Sequence, residues 1–281
     1  MEQDLAYLRH LAALGAGDLH PFGAAGTGAL IRALELRPGC RVLEVGCGAG
    51  RTLARLRSLG VAADGLDLLR PMLRAARRGS PRLRLVRASA GALPLRNECY
   101  DRVCMESVIG FQGEADARAI LREILRVLKP GGLCVAAEAV WKPGVTPGAA
   151  GRIHRSCLED FGLCQASEQP WCWSDWAREM RSAGFQVIAA SPLAPGTVAA
   201  TPLLQRVAAR LLREARLLAS RRLRADHARF QRMLKRHAGE GELIEARLFV
   251  LRRPPHGLSD PGPRQALWRS APSCSPEPLR E

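Results

Sequence analysis

The 281 residues are 47% hydrophobic and 25% charged, enough apolar content for one sizeable core and too much for a chain disordered over most of its length. The net charge of +15 raises a nucleic-acid partner, yet the basic residues are nearly all Arg, with Lys only at Lys129, Lys142 and Lys235. Base composition alone can produce that bias, and basic balance reports solubility and encounter more than function.

No N-terminal apolar stretch reads as a signal peptide, and no apolar run approaches the roughly 20 residues that cross a bilayer. A cytoplasmic protein without a transmembrane segment is expected. The nine cysteines are scattered and no CxxC pair occurs, so neither a disulfide framework nor a structural zinc site is expected, and no metal ligand is assigned.

From residue 30 to residue 140 apolar runs alternate with helical patterns, the sequence form of a parallel sheet covered on both faces. Arg41 to Val45 reads as a first strand and Thr52 to Leu59 as the helix after it. Ala62 to Leu66 is a second strand, ahead of a helix from about Pro71 to Arg78, where Pro in a first turn costs no hydrogen bond. Leu83 to Ala88 and Arg102 to Glu106 supply strands three and four. Asp116 to Leu128 carries apolar residues at helical spacing and ends at Lys129-Pro130-Gly131-Gly132, before a fifth strand from Leu133 to Glu138.

Trp141 to Trp173 reads as irregular. Ser174 is a plausible N-cap for a helix from Trp176 to Ala183, Gly184 its C-cap, and Phe185 to Ala190 strand six. Residues 203–237 form a long Arg-rich helical stretch, and Ala246 to Arg252 is a late strand able to enter the sheet antiparallel. After Pro254 the composition turns to Pro, Ser and Gly, which predicts a disordered tail.

The strongest motif is Val42-Leu43-Glu44-Val45-Gly46-Cys47-Gly48-Ala49-Gly50, a buried strand that breaks into a glycine turn and opens a helix. An ordinary strand-to-helix turn needs one glycine; three alternating ones suit close approach of a ligand to the backbone. Asp67 ends the next strand, and an acid about 20 residues beyond such a turn can accept from both hydroxyls of a ribose. A dinucleotide site would want a small residue at position 51, where Arg51 stands, so the GxGxG spacing suits a nucleoside cofactor without pyrophosphate.

Over about residues 20 to 190 the chain resembles the class I S-adenosylmethionine-dependent methyltransferases, in particular the small-molecule group called type 11. The resemblance rests on Glu44 to Gly50, on Gly65-Leu66-Asp67 with Pro71-Met72-Leu73, and on Leu93-Pro94-Leu95 through Tyr100-Asp101 to Gly132. It implies an α/β, Rossmann-like, doubly wound, seven-stranded and mostly parallel sheet, with an antiparallel last strand and a helical insert over the site. Residues 1–140 would be the S-adenosylmethionine-binding core and 141–240 the substrate-side insert and helical cap, interleaved with the sixth strand at 185–190. Residues 241–253 would complete the core and 254–281 form the tail.

The resemblance further implies that Gly46, Gly48 and Gly50 face the methionine part of the cofactor, that Glu44 orients its ammonium, that Asp67 holds the ribose and that Leu68 flanks the adenine. Such families commonly carry an acid after the third strand for the adenine amino group; here Ser89 stands there, beside Ala90. His20-Pro21-Phe22-Gly23 with Thr27 looks like a segment that closes over the methionine end, although His-Pro-x-Gly is turn chemistry in its own right.

Transfer from a sulfonium leaves a neutral thioether, so no general acid is required and the protein must mainly align acceptor and methyl in a dry site. A base is needed only if the acceptor loses a proton near the transition state. Glu106 at the end of strand four is the best-placed candidate, with His20 and His154 as others.

Trp141, Trp171, Trp173 and Trp176 either line an apolar acceptor pocket or pack a core. Cys157, Cys164 and Cys172 either suit a soft acceptor such as trivalent arsenic or are buried and inert. The Arg-rich stretch 206–236 is either a solvated helix face or a surface for an acidic substrate, an anionic membrane or RNA. The expected function is methyl transfer to a small molecule. The alternatives are an RNA or membrane-associated acceptor, or a non-catalytic cofactor-binding module, which Ser89 in place of an acid favours.

Overall fold

The computed structural model describes residues 6–14, 23–110, 112–164, 166–169, 171–193 and 203–255, the side chains of 203–209 excepted. In chain order they form α1 (Ala6–Leu14), α2 (Gly23–Ala33), β1 (Arg41–Val45), α3 (Arg51–Ser58), β2 (Ala62–Asp67), α4 (Arg70–Gly79), β3 (Arg84–Arg87) and β4 (Tyr100–Glu106). There follow α5 (Glu114–Val127), β5 (Leu128–Trp141), α6 (Pro147–Phe161), α7 (Trp173–Ser182), β6 (Gln186–Pro192), α8 (Leu203–Ala219), α9 (Arg221–Arg236), a 3-10 turn (Glu240–Leu243) and β7 (Ile244–Arg252).

The strands make one seven-stranded sheet in the order β3-β2-β1-β4-β5-β7-β6. Pairing is parallel from β3 to β5, and β7 runs antiparallel to both β5 and β6. This is the Rossmann-like architecture with an antiparallel last strand that the resemblance implied. Strand order reverses between β1 and β4, the point where open α/β sheets hold their ligands outside the carboxyl ends.

Side chains alternate across the sheet with period two, which sorts them between two helical layers. Leu43, Val45, Leu66, Val103 and Met105 meet α5 and α7 in one core. Val42, Ala63, Cys104, Val135 and Ala137 meet α2, α3 and α4 in the other. Fully burying one such leucine or valine contributes about 1.5–3 kcal/mol. The amino-terminal edge is closed by polar contacts around Asp64, which takes Arg41, Arg84 and the Tyr100 hydroxyl.

The helices beyond the two layers gather at the other edge. β5 ends at Trp141, β6 at Pro192, and β7 begins opposite Trp141 at Ile244. Their connections therefore carry α6, α8, α9 and the 3-10 turn out from the carboxyl edge, where Tyr7, Cys157, Phe161 and Phe230 form a satellite cluster.

Several local expectations are corrected. The stretch 141–173, expected to be irregular, contains α6, announced by Thr146, whose hydroxyl accepts from Ala149 N, with Pro147 in the first turn. The Arg-rich stretch is two helices, because Ser220 caps α9 by accepting from Leu223 N. The N-cap of α7 is Cys172 rather than Ser174. β5 starts at Leu128: Lys129 to Gly132 lie inside it, with Gly131 donating to Arg253 O and Gly132 O accepting from Arg253 N. The expected tail from 256 onward lies outside the described residues. Among them no helix is long and apolar enough to cross a membrane.

Candidate active site

The turn between β1 and α3 has left-handed φ at Gly46 (+70°), Gly48 (+50°) and Gly50 (+76°), a region that favours glycine. Their surroundings differ. A Cβ on Gly46 would lie 2.6 Å from Val108 Cγ2, and one on Gly50 2.8–2.9 Å from Leu83 and Ala76, whereas one on Gly48 would meet nothing within 4 Å. Gly46 and Gly50 thus let the turn pack against neighbouring elements, and Gly48 alone faces open space.

Gly65 belongs to the same arrangement: a Cβ there would sit 2.5 Å from Leu53 Cδ2 and 2.9 Å from Cys47 Sγ. Gly65→Ala is expected to cost about 1–3 kcal/mol through overpacking, seen as a melting temperature lowered by roughly 3–10 °C. An unchanged melt would mean that the turn does not press on β2.

Period-two alternation places Glu44, Asp67 and Glu106 on the α2–α3–α4 side, because they follow Val42, Ala63 and Cys104 by even steps. Each stands at or one residue from the carboxyl end of its strand, on three adjacent strands. Asp67 Oδ2 accepts from Gly48 N at 2.9 Å and Oδ1 from Leu69 N at 2.8 Å. Glu106 receives the Thr27 hydroxyl at 2.8 Å and the Thr52 hydroxyl at 2.9 Å, one on each oxygen. Glu44 is buried, and its Oε2 has no hydrogen-bond partner among the described residues.

Burial, then the charges of Glu106 and Asp67, push the Glu44 carboxyl well above the usual carboxylate range, against the pull of the Leu53 backbone N–H. Burial likewise raises Asp67, while the backbone N–H groups of Leu69, Gly48 and Leu68 pull it down. A cation beside Glu44 and Asp67 would favour their charged forms.

A fourth carboxylate, Glu138 of β5, went unassigned in the sequence. Its Oε1 accepts from Val108 N at 3.1 Å and its Oε2 from Val108 N and Gly110 N at 3.0 Å. It is 1% exposed and fixes the loop that leaves β4 beside Gly46. That loop begins with Ser107 at φ +54°, a left-handed non-glycine whose buried hydroxyl has no partner among the described residues. Strain of this kind gathers at functional sites.

The other expected site residues separate into those at the crevice and those that are not. Leu68, next to Asp67, is 54% exposed, an apolar face open to a ring. Ser89 accepts from Gly91 N at 3.2 Å and shapes its own turn, while Ala90 packs on the main core. Thr27 is buried with its hydroxyl on Glu106, whereas His20, Pro21 and Phe22 lie outside the described residues. His154 is held by Cys164 Sγ and Ala166 O, both at 3.5 Å.

Trp141 and Trp176 are buried at 0% and 1% exposure, which is core packing. Trp171 meets Trp176 edge to face at 5.1 Å, and Arg247 lies over Trp173. The three cysteines of the insert have different neighbours: Cys157 faces His237, Cys164 faces His154, and Cys172 Sγ lies 3.1 Å from the Ser174 hydroxyl.

These residues fit S-adenosylmethionine on two observations. The buried Glu44 Oε2 has no hydrogen-bond partner among the described residues, and Gly48 opens onto space beside Asp67.

Comparison with known proteins agrees. A family profile described as "Methyltransferase domain" matches residues 42–132. The uncharacterized methyltransferase YodH of Bacillus subtilis is 30% identical over 193 residues, 67% of this chain and 78% of that protein. The demethylmenaquinone methyltransferase of Corynebacterium urealyticum is 30% identical over 184 residues, 60% of this chain and 77% of that one. The structure of phosphoethanolamine N-methyltransferase 2 of Haemonchus contortus superposes with a TM-score of 0.62 at 16% identity, over 88% of this chain and 56% of that chain, which speaks for the fold alone. The matched block contains the glycine turn, Asp67 and Glu106 together, and on that ground the chain belongs to the class I S-adenosylmethionine-dependent methyltransferases.

Proposed function

We propose that the chain transfers the methyl group of S-adenosylmethionine to a small-molecule acceptor at the carboxyl edge of the sheet. What carries this reading is the Asp67 carboxylate fastened to the Gly48 amide, with the Glu44 oxygen left unmatched beside it. In this reading Asp67 accepts from the ribose, Leu68 flanks the adenine, Gly48 gives the methionine part room and Glu44 answers its ammonium. Bound there, the cofactor supplies a methyl carbon on a cationic sulfur. An acceptor lone pair would take that methyl as the carbon–sulfur bond opened to leave a neutral thioether, with the acceptor's proton passing to base or water. The chain's work is alignment and exclusion of water.

Glu106 serves as orienter through Thr27 and Thr52, and a role as base would use a lone pair that neither hydroxyl takes. Glu106→Gln separates the two: loss of kcat with retained cofactor affinity marks a base, and weakened affinity marks the orienter.

A small-molecule acceptor is supported by the likeness to an enzyme named for demethylmenaquinone. A membrane-dissolved acceptor is the second reading, favoured by α8, where Leu211, Leu212 and Leu218 are 63%, 58% and 75% exposed beside Arg210, Arg213 and Arg216. The deciding experiment offers methyl-labelled cofactor with phenols, quinols, amines, arsenite or RNA, with and without anionic vesicles. Label in a small molecule supports the first reading, label only in the presence of vesicles supports the second, and label only in RNA overturns both.

Cofactor binding is also expected to expel protons. Glu44 and Asp67 have raised pKa values, and a cation favours their charged forms, so affinity should rise with pH. The effect is cleanest below about pH 7, where the ligand's own α-amino group is already charged. Calorimetry in buffers of different ionisation enthalpy reads the proton release directly; net uptake would contradict this account.

A further inference from the structure

Away from the crevice, α6 and the end of α9 each turn two polar side chains toward the other. Cys157 and Asp160 are three residues apart on α6, and His237, the C-cap of α9, is three residues before Glu240 of the 3-10 turn. Cys157 Sγ lies 3.7 Å from His237 Nδ1 and 3.9 Å from Glu240 Oε2, and His237 Nδ1 also contacts Glu240 Oε2. All three ligand atoms lie within 4.8 Å of one another. Cys157 and His237 are 0% and 3% exposed, and Glu240 is half-buried.

We propose that Cys157 Sγ, His237 Nδ1 and Glu240 Oε2 bind one divalent ion of the zinc class, which clamps α6 to the end of α9. A thiolate, an imidazole and a carboxylate are the three donor types that zinc takes, at about 2.0–2.3 Å each, so that tetrahedral ligand atoms stand roughly 3.5 Å apart. The two sulfur distances are close to that spacing, and the His237–Glu240 pair, in direct contact without the ion, would open to admit it. The fourth position falls to water or to an added ligand.

The surroundings supply the outer support such sites use. His237 Nε2 meets Asp160 Oδ2 at 2.9 Å, and Arg236 reaches the same carboxylate at 3.1 Å. A carboxylate on the far nitrogen fixes the ring's tautomer and orientation for a metal on the near one. The competing arrangement is an imidazolium held between Glu240 and Asp160, and it has no need of the sulfur.

The ion would tie the connection after β5 to the connection before β7, next to the aromatic cluster of Tyr7, Phe161 and Phe230. The expected consequence is a more rigid cap rather than a change in the cofactor turn.

The test uses the full chain, free of any affinity tag, stripped with chelator and titrated with Co2+ and, in competition, Zn2+. One equivalent is expected, with the visible absorption of tetrahedral thiolate-bound Co2+ and a raised melting temperature. His237→Gln should abolish it, and Cys157→Ser and Glu240→Gln should weaken it at least about 100-fold, in line with the loss of a direct ligand. Asp160→Asn should weaken it about 10–100-fold through the ring it supports. Unchanged circular dichroism and S-adenosylmethionine affinity in these variants separate lost ligation from lost folding, and Cys164→Ser should retain binding. A wild-type chain that takes up no Co2+, or a folded Cys157→Ser chain that binds as the wild type does, overturns the proposal.

Discussion

Asp67→Ala is expected to weaken S-adenosylmethionine binding by about 100- to 1,000-fold. The carboxylate has two tasks, and alanine ends both. It accepts from Gly48 N and Leu69 N, which sets the open glycine against the end of β2, and in the proposed site its remaining lone pairs take the ribose hydroxyls. Hydrogen bonds to a charged group contribute about 1.5–3 kcal/mol each, so losing two to the ligand, at the lower end of that range because water takes part of their place, removes roughly 3–4 kcal/mol, which is that loss in affinity. Asp67→Asn keeps one acceptor oxygen and should fall between wild type and alanine. Calorimetric titration with S-adenosylmethionine and S-adenosylhomocysteine reads both, and an alanine variant within threefold of wild type would remove Asp67 from the site.

The parts of the fold that were legible in the sequence are those where one local rule decides. β1 and its glycine turn were readable because a buried strand that breaks at alternating glycines has few other uses, and Asp67 because its distance from that turn is set by one βαβ unit. β7 was readable as antiparallel from its separation in sequence. Even so, spacing could not divide the glycines: Gly46 and Gly50 meet Val108, Leu83 and Ala76, contacts made by residues 26 to 62 positions away.

What stayed hidden depends on contacts between distant segments. α6 was obscured by Gly148 and Gly151 inside it, although Thr146-Pro147 is a start signal in plain view. Ser220 lies within a run of Arg and Leu whose periodicity continues on both sides, so the break between α8 and α9 was lost in it. Cys157 and His237 are 80 residues apart, and no spacing rule for metal ligands reaches that far. Glu138 was the plainest omission: a carboxylate inside an apolar strand, followed by Ala139 and Val140, is costly unless something meets it. That cost is the signal that should have drawn attention to it.

Glu138→Ala is expected to lower stability by about 2–5 kcal/mol, because it leaves the Val108 and Gly110 amides buried without an acceptor, at about 1–3 kcal/mol for each. The loop from Ser107 to Gly110 would then lose its anchor beside Gly46, and methyl transfer should fall with it. Glu138→Gln should be far milder, since one oxygen at the Oε2 position can accept from both amides.

The pH dependence separates this carboxyl from a simple packing residue. Burial outweighs the backbone N–H groups of Gly110, Val108 and Ile109 and raises its pKa to about 7, from 4.5. The folded chain therefore holds a proton that the unfolded chain has released. Stability from this group is full below about pH 4.5, falls as pH rises, and levels off above about pH 7, a change on the order of 3 kcal/mol. Denaturant melts at intervals across that range should show the decline in wild type and its absence in Glu138→Gln. A wild-type profile flat through this window, or one rising with pH in a way the Gln variant abolishes, would mean that the carboxylate is charged and content where it sits.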